Sequence, residues 1–312
     1  MSTEPSSRGF QVLLLHLGDE VRNTISIDGV DHLVIVVGIY QENRLIEEYM
    51  HMNDPASSEN QPRKSRHLDW DGCFNVRDLG GLPTIDHGET VWRKVIRSDL
   101  PGRLTSIGQQ AMLDYGVRTI IDLRAPQEVK KDAYTIAAPT IQKTPAYRNL
   151  PIEKYYPHVS ALIMQAQSVA EVYCIILDYY PDAVVAILKA ILNAQTGGVV
   201  IHCHSGKDRT GIITALLLSL AEVPIDVVAA DYAESQECLW PRYEKYAADA
   251  GDKADTGLFS KPVAVPETIH LLFSHLETLY GGVKKYLGAV VMDQEEIQRL
   301  RRCLRNPYKT PE

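Results

Sequence analysis

Cys203 and Arg209 stand with five residues between them in the run His202-Cys203-His204-Ser205-Gly206-Lys207-Asp208-Arg209-Thr210-Gly211. These types at these offsets suit attack of a thiolate on a phosphate ester. Such an ester needs a nucleophile and a cradle for its non-bridging oxygens. A loop that turns from a strand end into a helix start points successive backbone N–H groups inward, and the helix dipole adds positive potential. Gly206 keeps the floor of that loop free of side chains. A free thiol has a pKa near ~8.5, which a helix N-terminus and nearby cations lower by several units. Cys203 is therefore expected as an ionised nucleophile at the mouth of the ring. The planar fork of Arg209 is expected to hold two phosphoryl oxygens, more tightly as charge builds on them in the transition state. Lys207 would add a second charge at the rim, and Thr210 would set its hydroxyl against the sulfur. Gly206, Ser205 and His204 would line the rest of the substrate-binding loop. His202 is expected to be a buried partner that fixes the loop.

Expulsion of the leaving oxygen calls for a general acid. Asp208, inside the loop, and Asp122, at the end of another strand, both qualify, because neighbouring strands of an open α/β sheet end at one crevice. Spacing alone does not choose between them. Cys174 and Cys303 lie on helical stretches without such neighbours and read as small apolar core residues. Two other chemistries share a cysteine in an anion cradle: binding of a phosphate ester without turnover, and sulfur transfer or arsenate reduction. The Arg209-Thr210-Gly211 ending and the lack of a nearby resolving cysteine speak against the last.

The elements that must position this loop are legible from punctuation. Thr119–Leu123 is a short apolar run that reads as a buried strand. Thr105 or Ser106 caps a helix that Gly116 stops. The stretch 170–194 reads as two helices parted just before Pro181. Gly197-Gly198 opens the strand Val199–His202, which runs straight into the loop. Thr210–Leu220 and Asp226–Ser235 follow as helices. Pro266-Glu267 opens another, closed by Gly281-Gly282. Asp293 and Glu296 form a capping box for a last helix reaching about Leu304. Strands alternating with helices predict an α/β layered fold. Residues 53–66 are polar and carry two prolines, which predicts a linker. The expected organisation is an N-terminal extension and linker over 1–65 and one catalytic domain over 66–312. His32–Tyr40 reads as a strand within a small β element. Tyr155-Tyr156-Pro157, in a variable middle region, reads as core packing with a lid as the alternative.

Composition bounds the partners. Of 312 residues, 32 are Lys or Arg and 40 are Asp or Glu, a net charge of -8. Such a chain has no general attraction for nucleic acid or anionic membranes, so any anion site must be local. Five scattered cysteines and no C-x-x-C pair suit a reduced, cytoplasmic setting. No metal ligand set or cofactor motif is present, and no signal peptide or transmembrane run is read.

The loop His202–Gly211 resembles the HCxxGKDRTG signature of the atypical protein tyrosine phosphatases of the bacterial protein tyrosine phosphatase B type. Further blocks carry the resemblance: Phe74–Gly81, Arg97-Ser98-Asp99, Ile121-Asp122-Leu123-Arg124 with Glu128, Pro266-Glu267-Thr268, and Tyr280-Gly281-Gly282-Val283 through Tyr286-Leu287. It spans residues from about 68 to about 304. It implies a central mostly parallel sheet flanked by helices. It also implies phosphotyrosine hydrolysis, with phosphoserine, phosphothreonine or phosphoinositides as further substrates. By resemblance Cys203 is the nucleophile and Arg209 the phosphate binder. Lys207 and Asp208 are the extra loop residues, linked to phosphoinositide activity and proton transfer. Asp122 and Arg124 are a strand-end pair at the site.

Overall fold

In the computed structural model the described residues are the backbone of 12–17, 20–27 and 30–35, together with 65–134, 136, 144–250, 261–290 and 292–306. The chain divides into two compact units, 1–57 and 58–312. In the first, β1 (Val12–Leu17), β2 (Glu20–Ile27) and β3 (Val30–Ile35) pair antiparallel in sequence order. The strand expected over 32–40 coincides with β3 at its start, and its residues 36–40 lie outside the described residues. So does 53–64 of the linker.

The second unit is built on a five-stranded sheet. Its strands are β4 (Arg77–Asp78), β6 (Val95–Ser98), β7 (Val117–Asp122), β8 (Ala146–Asn149) and β9 (Gly198–His202). The order across the sheet is β4-β6-β9-β7-β8. All neighbours run parallel except β4, which lies antiparallel at one edge. Two short strands, β5 (Glu89–Thr90) and β10 (Arg305–Asn306), pair apart from it. Every residue of β6 and β9 is buried. Near-continuous apolar strands covered on both faces are what a parallel sheet requires.

Ten helices are described: α1 (Ser106–Asp114), α2 (Pro126–Lys131), α3 (Pro157–Gln165), α4 (Val169–Tyr179), α5 (Pro181–Leu192), α6 (Asp208–Leu220), α7 (Ile225–Ala250), α8 (Pro266–Tyr280), α9 (Val283–Ala289) and α10 (Gln294–Leu304). Their ends follow the punctuation of the chain. Thr105 caps α1 by accepting from the Gly108 amide, and Gly116 leaves it at φ 100. The break between α4 and α5 falls at Tyr180, one residue before Pro181. Gly281 ends α8 in the left-handed conformation, and the Asp293–Glu296 box opens α10.

Alternation along the strands splits the core in two. Ile96, Ile120 and Val200 point one way and pack with Met112 and Leu113 of α1 and with Trp70. Val95 and Arg97 point the other way, where Val95 meets Leu217 and Leu218 of α6, and Arg97 reaches Thr214. Helices thus cover both faces. Burying each such aliphatic side chain contributes about 1.5–3 kcal/mol.

Helix α7 runs to Ala250, well past the expected end at Ser235, with Pro241 inside it. The apolar pattern fades because the helix beyond Ser235 lies mostly at the surface, with Leu239 alone buried among residues 236–246. Its earlier part presents a polar stripe to the interior. Asp231 takes hydrogen bonds from three arginines: Arg66 at 2.9 Å, Arg77 at 3.1 Å and Arg97 at 2.7 Å. Ser235, one turn on, accepts from Arg77 at 3.0 Å and Arg97 at 3.1 Å. Arg77, Arg97 and Asp231 are almost wholly buried. Arg66, counted with the linker in the sequence, is thereby anchored to the second unit.

Burial opposes the charge on Asp231, but Arg77, Arg66 and Arg97 outweigh it and hold its pKa well below the carboxylate range. A carboxylate depressed on folding adds stability above its unfolded pKa of about 3.9 and loses it as pH falls below that value. Asp231→Asn is expected to cost about 3–5 kcal/mol near neutrality, because it leaves guanidinium groups buried without a counter-charge. Urea unfolding at pH 7 and pH 3 checks this: the gap between wild type and variant should shrink in acid.

Candidate active site

The parallel strands end in register. Ser98 of β6 and Asp122 of β7 both lie opposite His202 of β9, and Asn149 of β8 lies opposite Asp122. The loop leaves this row at Cys203 and enters α6 at Asp208. The strand ends of an open parallel sheet thus converge on the expected segment.

Gly206 has φ 67, and a Cβ there would lie 2.4 Å from the Ser98 carbonyl oxygen. Only glycine fits that approach. The Gly206 carbonyl accepts from Arg97 at 2.8 Å and the Ser205 carbonyl from Asn75 at 3.0 Å. His202 is fully buried. Its Nδ1 lies 2.9 Å from the Cys203 carbonyl oxygen, which can only accept, so Nδ1 carries the proton. Nε2 then accepts from the Tyr134 hydroxyl at 2.8 Å. Burial pushes the His202 pKa down to about 4, so the ring is neutral near pH 7. It fixes the cysteine backbone, as expected.

Cys203 is free and 1% exposed, deeper than the mouth position expected of it. His204, next along, is exposed. Arg209 grips Glu128 with both Nη atoms, at 2.5 and 2.9 Å. Glu128 opens the first turn of α2 and also accepts from the Ala125 amide at 2.9 Å. Burial works against the Arg209 charge, but Glu128, the Cys203 sulfur and Glu153 overcome it and raise the pKa. The end-on pairing leaves the Nε edge of the fork without a hydrogen bond among the described residues. A guanidinium has five donors, so a phosphoryl group can take that edge while Glu128 keeps the other.

Several expected roles change. Arg124, expected against substrate, is fully buried. It closes on Asp122 with Nε at 3.0 Å and Nη2 at 2.8 Å. Two charged groups two residues apart on a strand end neutralise each other there instead of facing a ligand. Asp122 also accepts from the Tyr147 hydroxyl at 2.8 Å. Burial pushes its pKa up, but Arg124 and its other partners bring it below the usual value. A carboxylate so paired is held ionised, which does not suit a proton donor. Lys207, expected as a rim cation, is 2% exposed and donates to the Val263 carbonyl at 2.8 Å. The ammonium is spent on tying down the segment before α8. The Thr210 hydroxyl is buried with no hydrogen-bond partner among the described residues, the Cys203 sulfur included. Tyr155 is 78% exposed and so is not core packing, whereas Tyr156 stacks on Tyr180.

Asp208 keeps a partly exposed side chain. It accepts from the Tyr173 hydroxyl at 2.8 Å and lies 3.4 Å from the Lys207 ammonium. Glu153 completes the group. Burial raises its pKa, and Glu128 and Asp208 add to that against the pull of Arg209. Glu153 carried no sequence signal, since it follows a short edge strand outside any motif. Glu128 was visible only as part of the resemblance.

The family model for the tyrosine phosphatase family matches residues 68–306. The chain belongs to that family. This tyrosine phosphatase family member is 29% identical over 211 residues to a tyrosine-protein phosphatase of Nostoc commune, covering 64% of this chain and 70% of that one. It is 22% identical over 271 residues to the triple specificity protein phosphatase PtpB of Mycobacterium tuberculosis, covering 75% and 97%. The chain is thus a protein-tyrosine-phosphatase-type hydrolase, with the cysteine-based mechanism general to that family.

Glu128→Gln is expected to lower kcat/KM for a phosphate ester about tenfold, because the Arg209 fork loses the carboxylate that aims it. Steady-state kinetics on an aryl phosphate checks this. An unchanged value would mean that Glu128 does not position Arg209 for turnover.

Proposed function

We propose that the protein hydrolyses phosphomonoesters through a phosphocysteine on Cys203, with phosphotyrosine as a principal substrate. The observation that carries this reading is the convergence of Cys203, Arg209 and Glu128 at the carboxyl ends of β9 and β7. In the first step the Cys203 sulfur attacks phosphorus. The S–P bond forms, the P–O ester bond breaks, and the leaving oxygen takes a proton. Arg209 bears the charge that builds on the equatorial oxygens. In the second step water attacks phosphorus, the S–P bond breaks, and the water's proton returns to the acid.

Asp208 is the acid in this reading. Of the two candidate aspartates it alone keeps an exposed surface, 21% of its side chain against 0% for Asp122. The name of the mycobacterial relative supports a broad range that takes in phosphoserine and phosphothreonine. Phosphoinositides stay a further substrate class through the loop residues Lys207 and Asp208, although Lys207 is buried and adds no charge at the rim. A reducing, cytoplasmic setting suits a thiolate nucleophile and five free cysteines.

Hydrolysis of an aryl phosphate in the presence of a metal chelator tests the reading. Cys203→Ser is expected to abolish it, and Arg209→Ala to cost about 10²–10³-fold in kcat. Equal rates in wild type and Cys203→Ser would overturn it. The acid is tested by leaving group. Asp208→Asn is expected to slow an alkyl phosphate at least about tenfold more than a nitrophenyl phosphate, whose leaving oxygen needs no proton. Asp122→Asn should slow both equally. The reverse pattern would move the role to Asp122.

A further inference from the structure

Beside the exposed His204 lies a second group of charges that the reaction does not use. Asp99 is fully buried. Its Oδ1 is taken by the amides of Phe74 and Asn75, both at 3.2 Å. Its Oδ2 has no hydrogen bond. Two guanidinium groups approach that oxygen without closing on it, Arg103 at 3.7 Å and Arg242 at 3.6 Å. Their side chains are 23% and 29% exposed.

Arg103 is bound to the loop itself. It donates to the His204 carbonyl at 2.9 Å, and its other Nη lies 2.9 Å from His204 Nε2. Arg242 makes no hydrogen bond among the described residues. It lies on α7 three turns from Asp231, on the face that also holds Arg97 and, through it, the Gly206 carbonyl. A partly exposed guanidinium without protein hydrogen bonds keeps its donors open to water or to an anionic ligand.

The local charge is positive. At Arg242 Asp99 is the carboxylate in reach, and burial pushes the Asp99 pKa up; Asp132 also acts on Arg103 and His204, so the positive excess lies on the Arg242 side. Burial and then the neighbouring Arg242 lower Arg103 to about 10, so it stays charged near neutrality. His204 is pushed down to about 4 by desolvation of the ring side that packs on the loop and by both arginines, and its Nε2 accepts from Arg103, so it contributes no charge. Phe74, 47% exposed, stands at the same edge and offers an apolar surface beside the cations.

We propose that Arg103 and Arg242 form a second anion subsite at the rim of the Cys203 loop, which selects phosphopeptides carrying an acidic side chain near the phosphorylated residue. The inference rests on the phosphatase reading above. A peptide fits better than a membrane surface because the chain as a whole carries a net charge of -8, which repels an extended anionic sheet but not one carboxylate. The aromatic edge of Phe74 suits a neighbouring apolar peptide residue.

The test uses paired phosphotyrosine peptides that differ only in Glu or Gln beside the phosphotyrosine, with nitrophenyl phosphate as control. The readout is the ratio of kcat/KM for the two peptides, in which the active fraction of each preparation cancels. Wild type is expected to favour the Glu peptide about five- to tenfold, the size of one charge-assisted pair. The ratio should fall toward one at 0.5 M salt, roughly five times the ionic strength at which the Debye length is about 10 Å. Arg242→Gln should bring it near one, and Arg242→Glu should reverse it. A wild-type ratio of one would overturn the subsite. So would a ratio that survives Arg242→Gln and Arg242→Glu alike. Faster release of phosphate from anionic phosphoinositide vesicles than from either peptide would overturn the peptide assignment. Wild type inert toward nitrophenyl phosphate would instead sink the underlying phosphatase reading.

Discussion

The catalytic loop depends on one buried carboxylate. Asp231 on α7 neutralises Arg77 and Arg97, and Arg97 in turn holds the Gly206 carbonyl at 2.8 Å. Gly206 sits at φ 67, wedged against the Ser98 carbonyl. A left-handed residue at such close approach keeps its place only if its peptide is anchored, and the anchor here is a guanidinium that cannot reach water. Ion pairs of this depth are weak sources of net stability, since desolvation offsets most of their attraction. Their contribution is geometric. A planar fork bound at both ends allows one orientation, and the loop inherits it.

The sequence carried most of the frame and part of the site. Local punctuation was enough for α1, the α4–α5 break, α8 and α10, because Thr105, Pro181, Gly281 and Asp293 act within a turn of their own positions. The nucleophile loop was legible for the same reason: its residues are consecutive. Side-chain direction was not. Lys207 was placed against substrate as a cation inside the motif, and Arg124 through the strand-end pair that the resemblance implies. Whether a cation faces a ligand is decided by what lies across from it, here the Val263 carbonyl and Asp122. Those partners lie 56 residues away in one case and two in the other, and neither separation marks the choice. The true length of α7 was hidden for a related reason. Past Ser235 it buries only Leu239 among residues 236–246, and a period of apolar residues cannot report a helix that lies at the surface.

The neighbourhood of Arg209 shows why an acidic chain can hold an anion at one point. Glu128, Glu153 and Asp208 all lie within electrostatic reach of one another. They would repel a phosphate if they faced it together. Glu128 is instead turned end-on into Arg209, and burial raises the pKa of Glu153. The carboxylates therefore aim or complement the cation, and the open edge of the guanidinium remains the strongest donor in the group.

Around the site the degree to which each arginine is neutralised follows its exposure. Arg77 and Arg97, with no exposed side-chain surface, share a closed carboxylate and are structural. Arg209, 19% exposed, gives one edge to Glu128 and keeps one free. Arg103 and Arg242, 23% and 29% exposed, share an Asp99 oxygen that neither of them reaches. Full pairing is required where water cannot screen, and partial pairing is tolerable only where water or a ligand can. At the site the loosely paired donors thus face the surface above the loop, where an anion can reach them.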